Sequence, residues 1–192
     1  MTLPPFADAV AALASVLDQL GIGYLVAGSV ASLVHGEVRT TQDVDLVVDL
    51  APERLGPLAA ALRAQFLVDA ELLRVCLQQR IASNIVHRST GLKLDLFPLR
   101  DRPFSREELS RAVRVQIAPG CSVRIATAED CVLTKLEWFR KGGEVSERQW
   151  RDVQGVLRLQ ASRLDRGYLR RWAGELGIDD LLQRALHEAG LG

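Results

Sequence analysis

Residues 43 to 50 read DVDLVVDL, a run in which aspartate alternates with apolar residues. Such a run predicts a β-strand, in which successive side chains point to opposite faces. Asp43 and Asp45 therefore project from one face, roughly 7 Å apart, whereas Asp49 lies roughly 13 Å beyond Asp45 and is left out of the site. Two carboxylates that share a face repel one another, so this strand predicts a site for a hard cation such as Mg²⁺.

A second element lies upstream, where Gly28 and Ser29 follow the apolar run 23–27 and precede a helical pattern over 30–35. The apolar run is bounded by glycines and predicts a short buried strand. Gly28 and Ser29 are thus expected where this strand gives way to a helix N-terminus. Free backbone N–H groups and the positive end of the helix dipole favour an anion at such a corner, so we expect it to bind a phosphate group.

A third carboxylate lies in the run 92–97, LKLDLF, whose leucines share one face and leave Asp95 on the other with Lys93 and Phe97. If this strand neighbours the Asp43 strand, the three carboxylates converge. A carboxylate trio can hold two divalent ions about 3.5–4 Å apart, one activating a hydroxyl and the other clamping a triphosphate. The expected chemistry is phosphoryl or nucleotidyl transfer. The alternative is that these aspartates only form a solvated face.

Taken in order, the three elements resemble the signature of the nucleotidyltransferase superfamily that includes DNA polymerase beta. That signature is a Gly-Ser or Gly-Gly turn, an Asp-x-Asp pair and a distant Asp, matched here by Gly28-Ser29, Asp43/Asp45 and Asp95. The segment 39–45, RTTQDVD, is particularly similar to the bacterial branch that contains AbiEii-type toxins of abortive-infection systems. The core resemblance covers about residues 20 to 100.

The resemblance implies an α/β (α+β) fold, with a nucleotidyltransferase-type mixed β-sheet flanked by helices and a C-terminal helical tail. It implies that Asp43, Asp45 and Asp95 are catalytic and hold Mg²⁺ or Mn²⁺. It also implies that Gly28 and Ser29 bind the β- and γ-phosphates of an NTP.

Three further residues are candidates for nucleotide binding. Arg39 precedes the Asp pair by four residues, where a guanidinium can pair with phosphate oxygens. Thr41 lies in the same segment and is included through the resemblance. The looser likeness extends to Lys135, which matches a lysine that this branch commonly uses near the phosphates. The alternative for Lys135 is an exposed helix lysine balanced by Glu137.

These features predict a Mg²⁺-dependent nucleotidyltransferase that transfers NMP from an NTP to a hydroxyl acceptor and releases pyrophosphate. The sequence leaves the acceptor open between an RNA or tRNA end, a protein and a small molecule. The toxin likeness adds a role in a toxin–antitoxin or abortive-infection system, with an antitoxin partner. Two alternatives stay open: a non-catalytic nucleotide- or partner-binding protein on the same fold, and an antibiotic-modifying nucleotidyltransferase.

Composition limits the class of protein. The chain has 192 residues, 48% of them hydrophobic, which is enough for one core of ordinary size. Its 24 basic and 24 acidic residues balance, so the net charge gives no sign of a protein that coats nucleic acid or an anionic membrane. Its three cysteines lack metal-type spacing and are expected to be reduced. No apolar stretch approaches the roughly 20 residues of a membrane span, and the N-terminus lacks the basic segment that opens a secretory signal. We expect a cytoplasmic protein without a membrane partner.

The predicted elements alternate up to residue 126 and are helical afterwards. Two hairpins are expected, one joining 82–87 to 92–97 and one joining 113–117 to 122–125. The sequence therefore predicts a nucleotidyltransferase core over 1–126 and a helical region over 127–192 packed on that core. Helices are predicted over 6–20, 52–66 and 69–79, and from Ser105, Thr127 and Ser146 onward.

Overall fold

A computed structural model describes residues 6–36 and 43–192. The chain divides into two compact units, the first comprising Met1–Ser29 and Thr41–Ile125 and the second comprising Val30–Thr40 and Ala126–Gly192. The division expected from the sequence, a core over 1–126 and a helical region over 127–192 packed on it, stays a prediction.

The first unit is built on a mixed β-sheet. Its strands are β1 (Gly23–Val26), β2 (Asp43–Asp49), β3 (Phe66–Leu67), β4 (Ser83–His87), β5 (Lys93–Pro98), β6 (Val113–Ala118) and β7 (Cys121–Ile125). Among the described residues, seven strands are joined in the order β3-β4-β5-β2-β1-β7-β6. The pairs β2–β5 and β1–β7 are parallel, and the other neighbours are antiparallel. The mixed α/β fold and both predicted hairpins, β4–β5 and β6–β7, are thus confirmed.

Nine helices fall within the part of the chain that the structure describes. They are α1 (Ala7–Gln19), α2 (Gly28–His35), α3 (Leu55–Leu62), α4 (Ala70–Gln78), α5 (Pro103–Arg111), α6 (Ala128–Lys141), α7 (Glu147–Gln160), α8 (Arg166–Leu176) and α9 (Asp179–Glu188). Helices α1, α3, α4 and α5 belong to the first unit and α6 to α9 to the second. Over the described ranges, no helix has both the length and the apolar character needed to cross a membrane.

The helix predicted over 52–66 is wrong in its extent. Residues Pro52–Arg54 form a 3₁₀ turn, α3 ends at Leu62, and Phe66 begins strand β3. Phe66 is fully buried, pairs with His87 across the β3–β4 ladder and places its ring 5.1 Å from the imidazole. Burial of this aromatic side chain in the sheet outweighs the local helical pattern, because tertiary packing routinely overrides intrinsic helix propensity.

Helix α5 also differs from its predicted start at Ser105. The helix begins at Pro103, and Ser105 lies inside its first turn. A proline fits the first helical position because its missing N–H would have no partner there and its φ is already helical. By contrast, the caps predicted at Thr127 and Ser146 are confirmed, since each hydroxyl accepts a hydrogen bond from a backbone N–H three residues later.

Alternation along β2 and β5 determines which face of the sheet is buried. Val44, Leu46 and Val48 of β2 are at most 1% exposed, as are Leu94 and Leu96 of β5. The intervening residues of both strands are exposed or half-buried. The sheet thus buries its apolar face in the core and leaves the opposite face, which carries the aspartates, accessible.

Candidate active site

The two central carboxylates are neighbours across parallel strands. Asp45 of β2 is in register with Asp95 of β5, and Asp43 is in register with Lys93. Residues in register on adjacent strands share a face, and adjacent strands lie about 4.8 Å apart. The condition on which the sequence prediction depended, that the strand with Asp95 neighbours the strand with Asp43, is therefore met.

The start of helix α2 lies against the same carboxylate. Gly28 has φ +55°, and a β-carbon built on it would lie only 1.8 Å from Oδ2 of Asp45. The N–H of Ala27 donates to the carbonyl oxygen of Asp45 at 2.9 Å, which ties the end of β1 to β2. Gly28 and Ser29 form the first residues of α2. The structure thus places the start of a helix beside Asp45.

A lysine ammonium lies among these carboxylates. Nζ of Lys93 donates to Oδ2 of Asp95 at 2.9 Å and is 3.7 Å from Oδ1 of Asp43. The hydrogen bond to Asp95 and the negative charges of Asp95, Asp43 and Asp45 raise the pKa of Lys93. Lys93 therefore stays protonated at neutral pH and neutralises part of the carboxylate charge.

The donor set has the chemistry that a magnesium or manganese site needs. Asp43, Asp45 and Asp95 supply hard carboxylate oxygens from one face of two adjacent strands, and the side chains are 57% and 19% exposed for Asp43 and Asp95. The described residues nonetheless contain no group of three His, Cys, Asp or Glu side chains already gathered to hold a metal ion. The ammonium of Lys93 is one cation that lies beside both Asp43 and Asp95.

The other predicted nucleotide-binding residues are placed differently. Arg39 and Thr41 lie outside the described residues. Lys135 belongs to α6 of the second unit, where its Nζ donates to Oδ2 of Asp152 on α7 at 2.9 Å. Both side chains of this pair are buried, 11% and 8% exposed. The alternative of an exposed lysine balanced by Glu137 is wrong, because Lys135 is buried and Glu137 pairs with Lys141.

Sequence analysis did not identify Asn84 as a neighbour of the carboxylates. Asn84 of β4 is in register with Asp95 on the other side of β5, so Asn84, Asp95 and Asp45 form a row across three strands. The alternating run over 82–87 predicted the strand, but only the register shows which residue of β4 faces Asp95. Alternation in the sequence placed Lys93 on the same face as Asp95. Its contact with Asp43 could be recognised only from the parallel pairing of β5 with β2.

Neither the family models nor the curated proteins contain a match to this sequence. Solved structures do match in fold. An antigenic nucleotidyltransferase-like protein from Paracoccidioides brasiliensis has a TM-score of 0.65 at 19% identity, over 96% of this chain and 91% of that chain. The antibiotic-resistance factor ANT(2'')-Ia has a TM-score of 0.50 at 13% identity, over 95% and 93%. Its complex with adenylyl-2"-tobramycin gives 0.52 at 12% identity, over 88% and 95%. The chain therefore has a nucleotidyltransferase-like fold.

Proposed function

We propose that the protein is a nucleotidyltransferase, which transfers NMP from an NTP to a hydroxyl acceptor and releases pyrophosphate. One observation carries the proposal: Asp45 and Asp95 are in register on adjacent parallel strands, and Asp45 lies against the first turn of α2. This arrangement combines carboxylate ligands with a helix N-terminus suited to phosphate. The likeness of the whole chain to nucleotidyltransferase-like structures supports it through the fold alone.

In the proposed reaction, Gly28 and Ser29 hold the β- and γ-phosphates at the start of α2. Asp43, Asp45 and Asp95 would hold Mg²⁺ or Mn²⁺, which neutralises triphosphate charge and lowers the pKa of the acceptor hydroxyl. Asp95 accepts the proton of that hydroxyl as its oxygen attacks the α-phosphorus. The new bond joins the acceptor oxygen to phosphorus, and the bond from the α-phosphorus to its bridging oxygen breaks. Pyrophosphate leaves with the electron pair.

Label transfer tests the proposal. The protein is incubated with each α-³²P NTP, Mg²⁺ or Mn²⁺ and a cell extract, beside the variants Asp45→Asn and Asp95→Asn. Asp49→Asn is the matched control, because Asp49 is exposed on the same face of β2 at its opposite end. We expect label in RNA, protein or a small molecule with the wild type and with Asp49→Asn, and none with the other two variants. Equal labelling by Asp45→Asn would contradict the proposal.

A small-molecule acceptor is a second candidate for the same chemistry. The observation that favours it is the likeness to ANT(2'')-Ia, described as an antibiotic-resistance factor and solved with adenylyl-2"-tobramycin, which extends over most of both chains. If this candidate is right, a panel of aminoglycosides should accept label in place of the extract, and RNA and protein should stay unlabelled.

The toxin likeness gives a third, biological form of the proposal, in which the acceptor is an RNA end and an antitoxin protein holds the enzyme inactive. It depends on the segment 39–45 of the sequence. Expression of the wild type, but not of Asp45→Asn, should then arrest growth of the host. A nucleotide-binding protein without chemistry remains the alternative from another class, and it would bind NTP without transferring label.

A further inference from the structure

Lys93 has a position that the register of the sheet imposes. It lies two residues before Asp95 on β5, and therefore on the same face, and it is in register with Asp43 on β2. Its ammonium lies between the two strands, 2.9 Å from a carboxylate oxygen of Asp95 and 3.7 Å from one of Asp43. A single ammonium group thus lies within 4 Å of two of the three carboxylates proposed to bind the metal.

We propose that Lys93 is a built-in counter-ion, which holds Asp43 and Asp95 in place before substrate arrives and which a divalent cation must displace. Three carboxylates on one accessible face repel one another, and a unit charge at hydrogen-bond distance offsets that repulsion. The same charge repels an incoming divalent ion. The bare site is therefore stabilised by Lys93 and binds metal more weakly than its carboxylates alone would allow.

The surroundings of Lys93 let it move away. Its side chain is 45% exposed, so the ammonium reaches water by rotation of the flexible stem. The pair with Asp95 is thus open to water on the Lys93 side, and ion pairs that water can reach are weak and break readily. Lys135 provides the contrast within the same chain, because its side chain is only 11% exposed and its pair with Asp152 is buried. Of these two lysines, Lys93 is therefore the one that a metal ion can displace from its carboxylate partners.

The inference rests on the proposed function, because it assigns the metal to the same carboxylates. Its test measures metal binding directly, in the absence of nucleotide and acceptor. Free Mn²⁺ is followed by its electron paramagnetic resonance signal while the full-length protein is titrated. Four proteins are compared with the wild type: Lys93→Met, Lys93→Arg, Asp95→Asn and Lys141→Met. Lys141→Met is the matched control, because the Lys141 side chain is also 45% exposed and its loss changes the net charge equally.

The inference predicts that Lys93→Met binds Mn²⁺ more tightly than the wild type, on the order of tenfold, because a competing unit charge is removed. Lys93→Arg and Lys141→Met should keep the wild-type affinity. In EDTA, Lys93→Met should melt at a lower temperature than the wild type, and saturating Mn²⁺ should remove the difference, since the cation replaces the ammonium.

Mn²⁺ binding by these variants distinguishes a wrong role for Lys93 from a wrong metal site. If the wild type binds Mn²⁺ and Asp95→Asn does not, but Lys93→Met binds equally or more weakly, the counter-ion role is wrong and the metal site stands. If neither the wild type nor Lys93→Met binds Mn²⁺, both the metal site and the inference are wrong. Equal tightening by Lys141→Met would assign the effect to net charge and also overturn the inference.

Discussion

Gly28 lies so close to Asp45 that a β-carbon at position 28 would be 1.8 Å from Oδ2 of the carboxylate and 2.7 Å from its carbon. Gly28 also has φ +55°, a backbone conformation that favours glycine. The sequence suggested this glycine only as part of a phosphate-binding corner at the start of a helix. The structure gives a second reason, which is that only glycine leaves room for the Asp45 side chain.

Gly28→Ala should therefore cost more than an ordinary substitution of a glycine with positive φ. Gly91→Ala is the matched control, because Gly91 has φ +69° and nothing lies within 4 Å of its added β-carbon. The backbone strain alone costs about 1–2 kcal/mol. Urea denaturation should show that loss for Gly91→Ala and a clearly larger one for Gly28→Ala. Equal losses would mean that Asp45 moves aside without cost.

The row of Asn84, Asp95 and Asp45 predicts sensitivity to charge at position 84. Asn84→Asp places a carboxylate in register with Asp95, and like charges directly opposite one another destabilise a sheet by about 0.2–1 kcal/mol. We expect a lower free energy of unfolding at low ionic strength, with much of the loss recovered in salt because exposed charges are screened. Asn84→Ala is the control without the charge. A salt-independent difference would argue against the contact with Asp95.

Lys135 gives opposite predictions for its two roles. If Lys135 acts as the buried partner of Asp152, Lys135→Met removes one positive partner of a buried carboxylate, which costs up to about 3–5 kcal/mol. The double variant Lys135→Met/Asp152→Leu should recover much of that loss. As a phosphate ligand alone, Lys135→Met would keep the stability of the wild type and raise the KM for NTP. Thermal denaturation and nucleotide titration of the same samples separate the two roles.

Tyr24 predicts a stability change in alkaline solution. Burial raises the pKa of its phenol, and the charge of Asp18 raises it further. A folded-state pKa above the unfolded value of about 10 means that the stabilising contribution is complete below pH 10 and falls as pH rises toward the folded pKa. The free energy of unfolding of the wild type should therefore drop relative to Tyr24→Phe between pH 9 and pH 11. Parallel curves for the two proteins would contradict this expectation.

The sequence was sufficient for the parts of the site that depend on local periodicity. Alternation alone put Asp43 and Asp45 on one face and Asp95 opposite the leucines of its strand, and glycine placement predicted the turn at Gly28. These predictions hold because the period of a strand is fixed by the backbone. Helix α4 followed similarly, with Asp69 capping its first turn.

Long-range pairing is what the sequence did not determine. The contacts of Lys93 with Asp43 and of Asn84 with Asp95 depend on strand register, which is set by the packing of the whole sheet. The end of α3 and the strand at Phe66 were missed for the same reason, because burial of an aromatic ring against His87 decided them. The pair of Lys135 with Asp152 joins two helices whose contact has no local signature.

Nucleotidyl transfer is tested most sharply by comparing two positions of label in one nucleotide. The wild type, Asp45→Asn and Asp49→Asn are each given α-³²P or γ-³²P NTP with Mg²⁺ and the acceptor fraction identified by the first labelling experiment. We expect the α label to enter the acceptor and the γ label to appear in pyrophosphate, with the wild type and Asp49→Asn alone. Transfer of the γ label to the acceptor, or α transfer that survives in Asp45→Asn, would contradict it.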